Sequence, residues 1–411
     1  MLRERVFQRI VLIVCVFCVP LGHSIEAQQE ARIGRYENGL VGSDQPTTLA
    51  ASSGFISSFM FPFSAAKRIV KLSKIRYNRV EGIFLGVSPP KLAKADFEVF
   101  GYLGYGFESS KWRYEVGLKR SWFWMNRLEI GAAHYDLTDT QDRWIVSGLE
   151  NTLAALLFRE DFMDYYRRKG WRFFASQNIS EVYKLGLEFR SDRYEGMHKR
   201  TDWSIFGGDK KFRHNPSIDE GKMESLVATA EVDMMGYRQG WIFRGEYEKA
   251  GDPFGGDFDF QRLWLQSKRY QRTFGNQQAV IRVMAGFHKR TWPDIVPEQK
   301  RFDLGGIESL RGFPFKVFTG DRMVLGNFYY LFGGDILGRS NISIVRTLQL
   351  ILFVDTGATF NRNKNLQLRD LNTDGGVALA DLENSFRINF AKRLDRWKNS
   401  IEITVRLMRK F

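Results

Sequence analysis

Apolar and polar residues alternate with a period of two along most of this chain. In the run 112–119, Trp, Tyr, Val and Leu alternate with Arg, Glu, Gly and Lys, and the alternation returns in 241–248, 386–394 and 401–411. Because successive side chains of a β-strand point to opposite faces, the pattern predicts strands with one apolar and one polar face. A soluble β-sandwich also alternates, but its strands are somewhat shorter. Runs as long as 401–411 match the roughly 9–11 residues of a tilted membrane-crossing strand.

The first 27 residues have the features of a secretory signal. Three arginines precede the apolar stretch 10–21, and Ala27 offers a cleavage site. The apolar stretch is short for a bilayer-spanning helix, although a membrane anchor is the alternative interpretation. Cys15 and Cys18 both lie in this signal, so the exported chain is expected to contain no disulfide. We expect a flexible lead-in over the polar residues 28–52 and the folded domain over 53–411.

The composition favours the membrane alternative. Aromatic residues make up 15% of the chain, 26% of its residues are charged, and it contains 38 glycines. These values suit a β-barrel, whose lipid face is rich in aromatic residues and whose lumen is polar. The formal net charge is +14. Since the chain is exported, this charge favours anionic lipid headgroups rather than nucleic acid as the partner.

The alternation places fifteen strands, and strand parity predicts a sixteenth. Two strands separate the long connection 137–168 from 192–221, and four strands separate 192–221 from 289–320. Because both numbers are even, all three connections should lie at one end of the sheet. One strand is missing before residue 137 if the N-terminus is to lie at the opposite end, and 54–63 is one candidate for it. The connection 289–320 then joins strands 11 and 12. The fifteen strands are expected near 75–88, 96–107, 111–122, 127–136, 169–178, 181–191, 222–236, 240–249, 257–270, 275–288, 321–333, 343–360, 374–381, 385–395 and 399–411.

One segment, 142–168, has a different spacing. Its residues Leu149, Leu153, Leu156 and Leu157 recur as they would on one face of a helix. The spacing is compatible with a short helix in an external loop and, equally, with a buried cluster of loop side chains.

Two short motifs carry an arginine and an aspartate, respectively. Residues 304–313 read Leu-Gly-Gly-Ile-Glu-Ser-Leu-Arg-Gly-Phe, and residues 353–357 read Phe-Val-Asp-Thr-Gly. The alternation in 348–355 places Asp355 on the lumen side of its strand, together with Phe353. Arg311 is therefore a candidate for an ion pair with Asp355, since a guanidinium can form two parallel hydrogen bonds with a carboxylate. The alternative is an arginine that meets solvent in an outer loop.

With the segment 76–86, these motifs resemble the bacterial surface antigen superfamily. This superfamily comprises the barrels of outer-membrane assembly factors (BamA- and TamA-like) and of two-partner secretion transporters, and the resemblance covers 75–411. It implies an all-β fold: a sixteen-stranded antiparallel transmembrane β-barrel whose loop between strands 11 and 12 is inserted into the lumen. The residues that it assigns to a loop lock are Arg311, Gly312, Phe313, Asp355 and Gly357, and it assigns the C-terminal barrel signal to Phe411.

The chain departs from the family pattern in two respects. Strand 12 of the family often carries Asn-x-Glu-Tyr, whereas this chain has Asn327-Phe-Tyr329-Tyr. We therefore expect Asp355 to be the main counter-ion of Arg311. Assembly factors also carry periplasmic POTRA domains before the barrel, and the residues between Ala27 and the first strand are too few for one. The resemblance is thus to a barrel-only member that lacks POTRA domains.

The expected function is non-enzymatic and located in the bacterial outer membrane. The resemblance implies membrane protein assembly, polypeptide translocation (protein transport) or lipid handling. The expected partners are outer-membrane lipid and lipopolysaccharide, with a separate periplasmic partner or a client polypeptide, and no nucleic acid. The alternative is a passive or structural barrel, either a pore or a partner-dependent subunit. No cofactor or metal site is predicted, and Asp202, Asp209 and His214, the candidates for a hydrolase site, fit a solvated loop better.

Overall fold

Sixteen strands form one antiparallel sheet in the computed structural model, which describes residues 71–89, 97–123, 126–290, 296–361, 367–395 and 401–407. Each strand pairs with the next in the chain, except that β11 pairs with β14 across a small separate hairpin, β12–β13. The all-β class and the sixteen antiparallel strands are confirmed. The strands are β1 (Lys71–Asn78), β2 (Gly82–Ser88), β3 (Phe97–Gly106), β4 (Lys111–Trp122), β5 (Leu128–Asp139), β6 (Tyr166–Asn178), β7 (Tyr183–Gly196), β8 (Gly221–Met235), β9 (Gly240–Gly251), β10 (Gly255–Arg272), β11 (Gln278–Arg290), β12 (Phe302–Leu304), β13 (Phe318–Gly320), β14 (Arg322–Leu331), β15 (Leu348–Phe360), β16 (Asn372–Asp381), β17 (Phe386–Arg393) and β18 (Glu402–Leu407).

The sixteenth strand comes from a turn that the alternation did not reveal. The prediction of one strand over 75–88 was wrong, because β1 and β2 are joined there by a tight turn. The Asn78 side chain accepts hydrogen bonds from the main-chain N–H groups of Val80 (3.0 Å) and Glu81 (2.8 Å). Gly82 follows with a φ of 65°, a conformation that glycine adopts without strain. The candidate strand 54–63 lies outside the described residues, as do the predicted signal, the lead-in and Phe411.

The two faces of the sheet have opposite chemistry. On one face Val99, Val116, Leu187 and Leu265 are 46–54% exposed. On the other face most side chains are buried, and many of these are ionic, including Arg113, Glu129, Asp192, Glu248 and Arg282. A soluble protein buries its apolar side chains and exposes its charges. This sheet does the reverse, as expected for a sheet with one face in lipid.

The antiparallel order places the long connections at one end of the sheet, as predicted. These are the connections between β5 and β6, between β7 and β8, and between β11 and β14. We call this end the loop end. Both β1 and β18 have their outer termini at the opposite end, and among the described residues no pairing joins β1 to β18.

A helix, α1 (Gly148–Phe158), lies in the connection between β5 and β6. Ser147 caps it by accepting the N–H of Glu150 at 3.2 Å, and Arg159 ends it in the left-handed conformation. The helical alternative for this segment is therefore confirmed. A one-turn helix, α2 (Ser343–Arg346), precedes β15, so the prediction that this strand begins at residue 343 was wrong. None of the helices in the described ranges has the length and apolar character needed to cross a membrane.

Candidate functional site

The connection between β11 and β14 folds back against the buried face of the sheet. Its hairpin β12–β13 carries a tip, residues 305–317, that starts with two glycines. Gly305 and Gly306 have φ values of 119° and 76°. A Cβ on Gly305 would fall 2.3 Å from the Pro314 oxygen, so no side chain fits there. These glycines allow the sharp reversal that directs the tip toward the sheet.

Apolar side chains hold the tip in place. Leu304, Leu310 and Phe313 are buried with Met284 and Leu325 of the sheet. Ile307 packs into a second cluster, beneath the β5–β6 connection. Several buried apolar side chains in a short segment give it an extensive packed surface. Glu308 and Arg311, which lie between these apolar residues, are thereby buried as well.

Arg311 meets Asp355 in a two-point contact. Its Nε lies 2.7 Å from Asp355 Oδ2 and its Nη2 lies 2.7 Å from Oδ1. The arginine is 1% exposed and the aspartate is fully buried. Burial alone would lower the pKa of Arg311, but the Asp355 carboxylate outweighs it and raises that pKa above its usual value. The guanidinium therefore remains charged inside the protein.

Neighbouring strands complete the arginine site. Asn327, opposite Asp355 in the β14–β15 pair, donates to Asp355 Oδ1 at 2.6 Å. The guanidinium carbon stands 3.5 Å from the centre of the Phe353 ring and 4.7 Å from that of Tyr329. Tyr329, which replaces the acidic residue of the family pattern, thus contributes an aromatic face rather than a charge.

A second carboxylate lies beside the pair. Asp374 is directly opposite Asp355 in the β15–β16 ladder and is fully buried. Neither of its oxygens makes a well-formed hydrogen bond with the described residues, but the Gly312 N–H and the Asp355 side chain are near enough to interact with it. Gly312 passes over this position, where an added Cβ would come within 2.7 Å of the Asp374 Cβ. Sequence reasoning missed Asp374, although pairing the strands 343–360 and 374–381 in register would have placed it beside Asp355.

The loop also presents a carboxylate to a group of arginines. Glu308 Oε1 lies 2.8 Å from Arg282 Nη1 of β11. Arg406 of β18 also donates to Glu308 and forms an ion pair of 2.7 Å with Glu150 of α1. Arg387 of β17 is 3.7 Å from Glu308. The tip therefore places Glu308 against arginines of the sheet and Arg311 against an aspartate of the sheet. Sequence reasoning missed Glu308, although it lies in the same motif as Arg311.

Two lysines hold the base of the loop. Lys300 is buried and lies 2.8 Å from both carboxylate oxygens of Glu248 in β9. Lys316 contacts Asp142 (2.7 Å) and Asp164 (2.6 Å) of the β5–β6 connection. Burial alone would lower the pKa of Lys316, but these aspartates outweigh it and raise that pKa. The loop is thus bound to the sheet and to a second loop.

The remaining predicted residues are placed as follows. Phe313 packs against Phe318, with ring centres 5.3 Å apart. Gly357 lies where β15 passes close to β14, since a Cβ would fall 2.7 Å from the Val324 oxygen. Among the hydrolase candidates, Asp202 accepts from Lys199 and from the Phe212 N–H. The described residues show no hydrogen bond between His214 and either Asp202 or Asp209.

Comparisons with known proteins agree with this fold. Residues 237–393 match the Omp85 superfamily domain, and residues 64–235 match the C-terminal domain of a family of unknown function (DUF5686). The fold and these matches define the class: a β protein that contains an Omp85 superfamily domain, a domain found in bacterial outer-membrane proteins. The predicted localisation is thereby confirmed.

More particularly, the chain is similar to outer-membrane assembly factors of the BamA type. Over 227 residues, 52% of the chain, it is 28% identical to the outer membrane protein assembly factor BamA of Nitratidesulfovibrio vulgaris, and the match spans 28% of that relative. BamA from Haemophilus ducreyi lacking POTRA domains 1–3 superposes with a TM-score of 0.53 at 12% identity, covering 80% of this chain and 67% of that chain. At this identity the superposition shows the fold alone. CdiB from Acinetobacter baumannii superposes with a TM-score of 0.39 at 12% identity, covering 80% of this chain and 57% of that chain.

Proposed function

We propose that the sixteen strands close into a transmembrane barrel of the bacterial outer membrane, with the tip 305–317 seated in its lumen. The reversed chemistry of the two faces supports this proposal, because a closed sheet would place the apolar face in lipid and the ionic face inside. The opposite charges of Glu308 and Arg311, each paired with the sheet, support a seated loop.

In this barrel the Arg311–Asp355 pair is a loop lock. It fixes the tip in one register, since both N–H bonds to the carboxylate must form together. Gly312 and Gly357 belong to the lock because each lies where neighbouring chain segments approach too closely for a side chain. Phe313 belongs to it because its side chain is buried in the apolar cluster that holds the tip. The buried ion pair is the single observation that carries this assignment.

The proposed activity is the insertion or translocation of polypeptides, or lipid handling, in that membrane. Its support is the Omp85 domain over 237–393 and the similarity to an assembly factor. Proposed partners are a client polypeptide or a separate periplasmic partner, together with membrane lipid and lipopolysaccharide. We propose no catalytic role for any residue.

Depletion of the protein in its native host tests the activity. We expect unrelated outer-membrane barrels, secreted proteins or surface lipids to decrease. The depleted strain is complemented with wild type, with Arg311→Met and with Arg244→Met, a control whose ion pair with Glu231 is exposed. We expect Arg244→Met to restore function and Arg311→Met to fail at an equal level of protein. Normal barrels, secretion and lipids after depletion would favour a passive or structural barrel instead.

A further inference from the structure

The helix α1 has its polar and apolar faces reversed. Glu150, Asn151 and Thr152 are buried, whereas Leu149, Leu153 and Leu157 are partly exposed. These leucines are four residues apart and therefore lie along one side of the helix. A helix on the surface of a soluble protein directs its apolar side inward. The outward leucines of α1 require a different explanation.

The buried polar side chains of α1 hold it against both edge strands of the sheet. Thr152 accepts the main-chain N–H of Tyr77 in β1 at 3.3 Å. Glu150 accepts the main-chain N–H of Leu407 in β18 at 2.9 Å. An edge strand presents N–H groups that its own sheet does not use. The helix therefore lies across the gap between β1 and β18.

A neighbouring loop extends the apolar surface of the helix. Trp203, Ile205 and Phe206 are 55%, 50% and 43% exposed. The N–H groups of Ile205 and Phe206 donate to carbonyl oxygens in the last turn of α1, at 2.8 and 2.9 Å. We call the set Leu149, Leu153, Leu157, Trp203, Ile205 and Phe206 the α1 patch.

The surroundings of the α1 patch indicate what covers it. At the loop end of the adjacent strands, Phe107 and Trp112 are also more than half exposed, on the face that we assign to lipid. Arg200 and Lys211, near the ends of the segment that carries Trp203, are exposed. Apolar and aromatic side chains flanked by cations are typical of surfaces that enter the membrane interface.

We propose that the α1 patch contacts the acyl chains of the membrane leaflet at the loop end, so that α1 covers the seam between β1 and β18 at that end. The proposal rests on the proposed transmembrane barrel. It explains why the polar side of α1 faces the buried arginine Arg406 while its leucines face outward. It also assigns membrane lipid as the partner of the α1 patch, which is separate from the loop lock.

Spin labels in nanodiscs test the proposal. Cys15 and Cys18 are the only cysteines of the sequence, so exchanging both for Ala allows single labels at Leu153→Cys and Ile205→Cys. Leu187→Cys, on the exposed face of β7 and 49% exposed, is the lipid control, and Leu368→Cys, 87% exposed in a connection at the loop end, is the water control. Collisions with oxygen, which partitions into lipid, are compared with collisions with a water-soluble nickel chelate. Each variant is first checked for folding by heat-modifiable migration on gels, and Leu157→Cys replaces Leu153→Cys if the latter fails.

We expect the labels at 153 and 205 to collide with oxygen as the label at 187 does and to lose the nickel collisions that the label at 368 shows. Labels at 153 and 205 that resemble 368, with 187 still shielded from nickel, would overturn the lipid contact and leave the barrel intact. A label at 187 that is open to nickel would instead refute the transmembrane barrel itself.

Discussion

Neutralising Arg311 should destabilise the protein more than neutralising its partner. In Arg311→Met the buried carboxylate of Asp355 loses its cation, and the buried acidic group of Asp374 lies directly opposite it. In Asp355→Asn the asparagine still offers a carbonyl oxygen to the guanidinium, which also stays in contact with the rings of Phe353 and Tyr329. The two substitutions remove the same ion pair, yet they leave different residual charges behind.

The expected magnitudes follow from the geometry. Charges about 4 Å apart attract by about 4 kcal/mol at an effective dielectric constant of about 20. Breaking a buried pair and leaving one charge typically costs about 3–5 kcal/mol, which we expect for Arg311→Met. Asp355→Asn should cost about 1–3 kcal/mol, the range for a buried polar group that keeps part of its hydrogen bonding.

Urea unfolding of the protein in lipid vesicles, followed by tryptophan fluorescence, measures both losses. Arg244→Met is the control, because its 3.1 Å pair with Glu231 is solvent-exposed and should contribute less than about 1 kcal/mol. A loss for Arg311→Met as small as that of this control would refute the loop lock. A larger loss for Asp355→Asn than for Arg311→Met would refute the residual hydrogen bonding that we expect of the asparagine.

Four further predictions concern the same loop. Gly312→Ala should lower the unfolding free energy by about 1–3 kcal/mol, the usual cost of overpacking, as measured in the same urea assay. Lys300→Met should cost about 3–5 kcal/mol because it leaves Glu248 buried without its ion-pair partner, and adding Glu248→Gln should recover most of this loss. Asp374→Asn should raise stability by about 1–3 kcal/mol by replacing a buried acidic group that makes no well-formed hydrogen bond; a lower urea midpoint would contradict this. The pKa of Lys316 is raised in the folded protein. Its contribution to stability is therefore complete below its unfolded pKa of about 10.5 and is lost as pH rises through the higher folded value. The stability difference between wild type and Lys316→Met should stay constant from about pH 7 to 10 and should shrink only at higher pH.

The sequence predicted most of the strands because their alternation is a local property. Burial in β15 alternates as expected, with Phe353 and Asp355 on the buried face and Leu352 and Val354 exposed. The turn at Asn78 escaped prediction because its side chain makes hydrogen bonds that replace those of a continuing strand.

The rest of the site depends on relations between distant segments. Asp374 and Glu308 acquire their roles only through strand register and loop docking, which no single stretch of sequence contains. The leucines of α1 show the spacing of a buried helical face, yet they point outward. Periodicity in the sequence locates the apolar face of a helix. Whether that face packs against protein or lies against lipid depends on the whole fold.

The opposition of Asp355 and Asp374 couples the sheet to its loop. Two buried acidic side chains directly opposite each other weaken a strand pair if both are charged, so this part of the β15–β16 ladder is stabilised when Arg311 binds Asp355. Docking of the tip and completion of this part of the sheet must therefore stabilise each other. A chain with the tip undocked would contain a weakened ladder next to the last two strands, and any partner that withdraws the tip would loosen the sheet at that place.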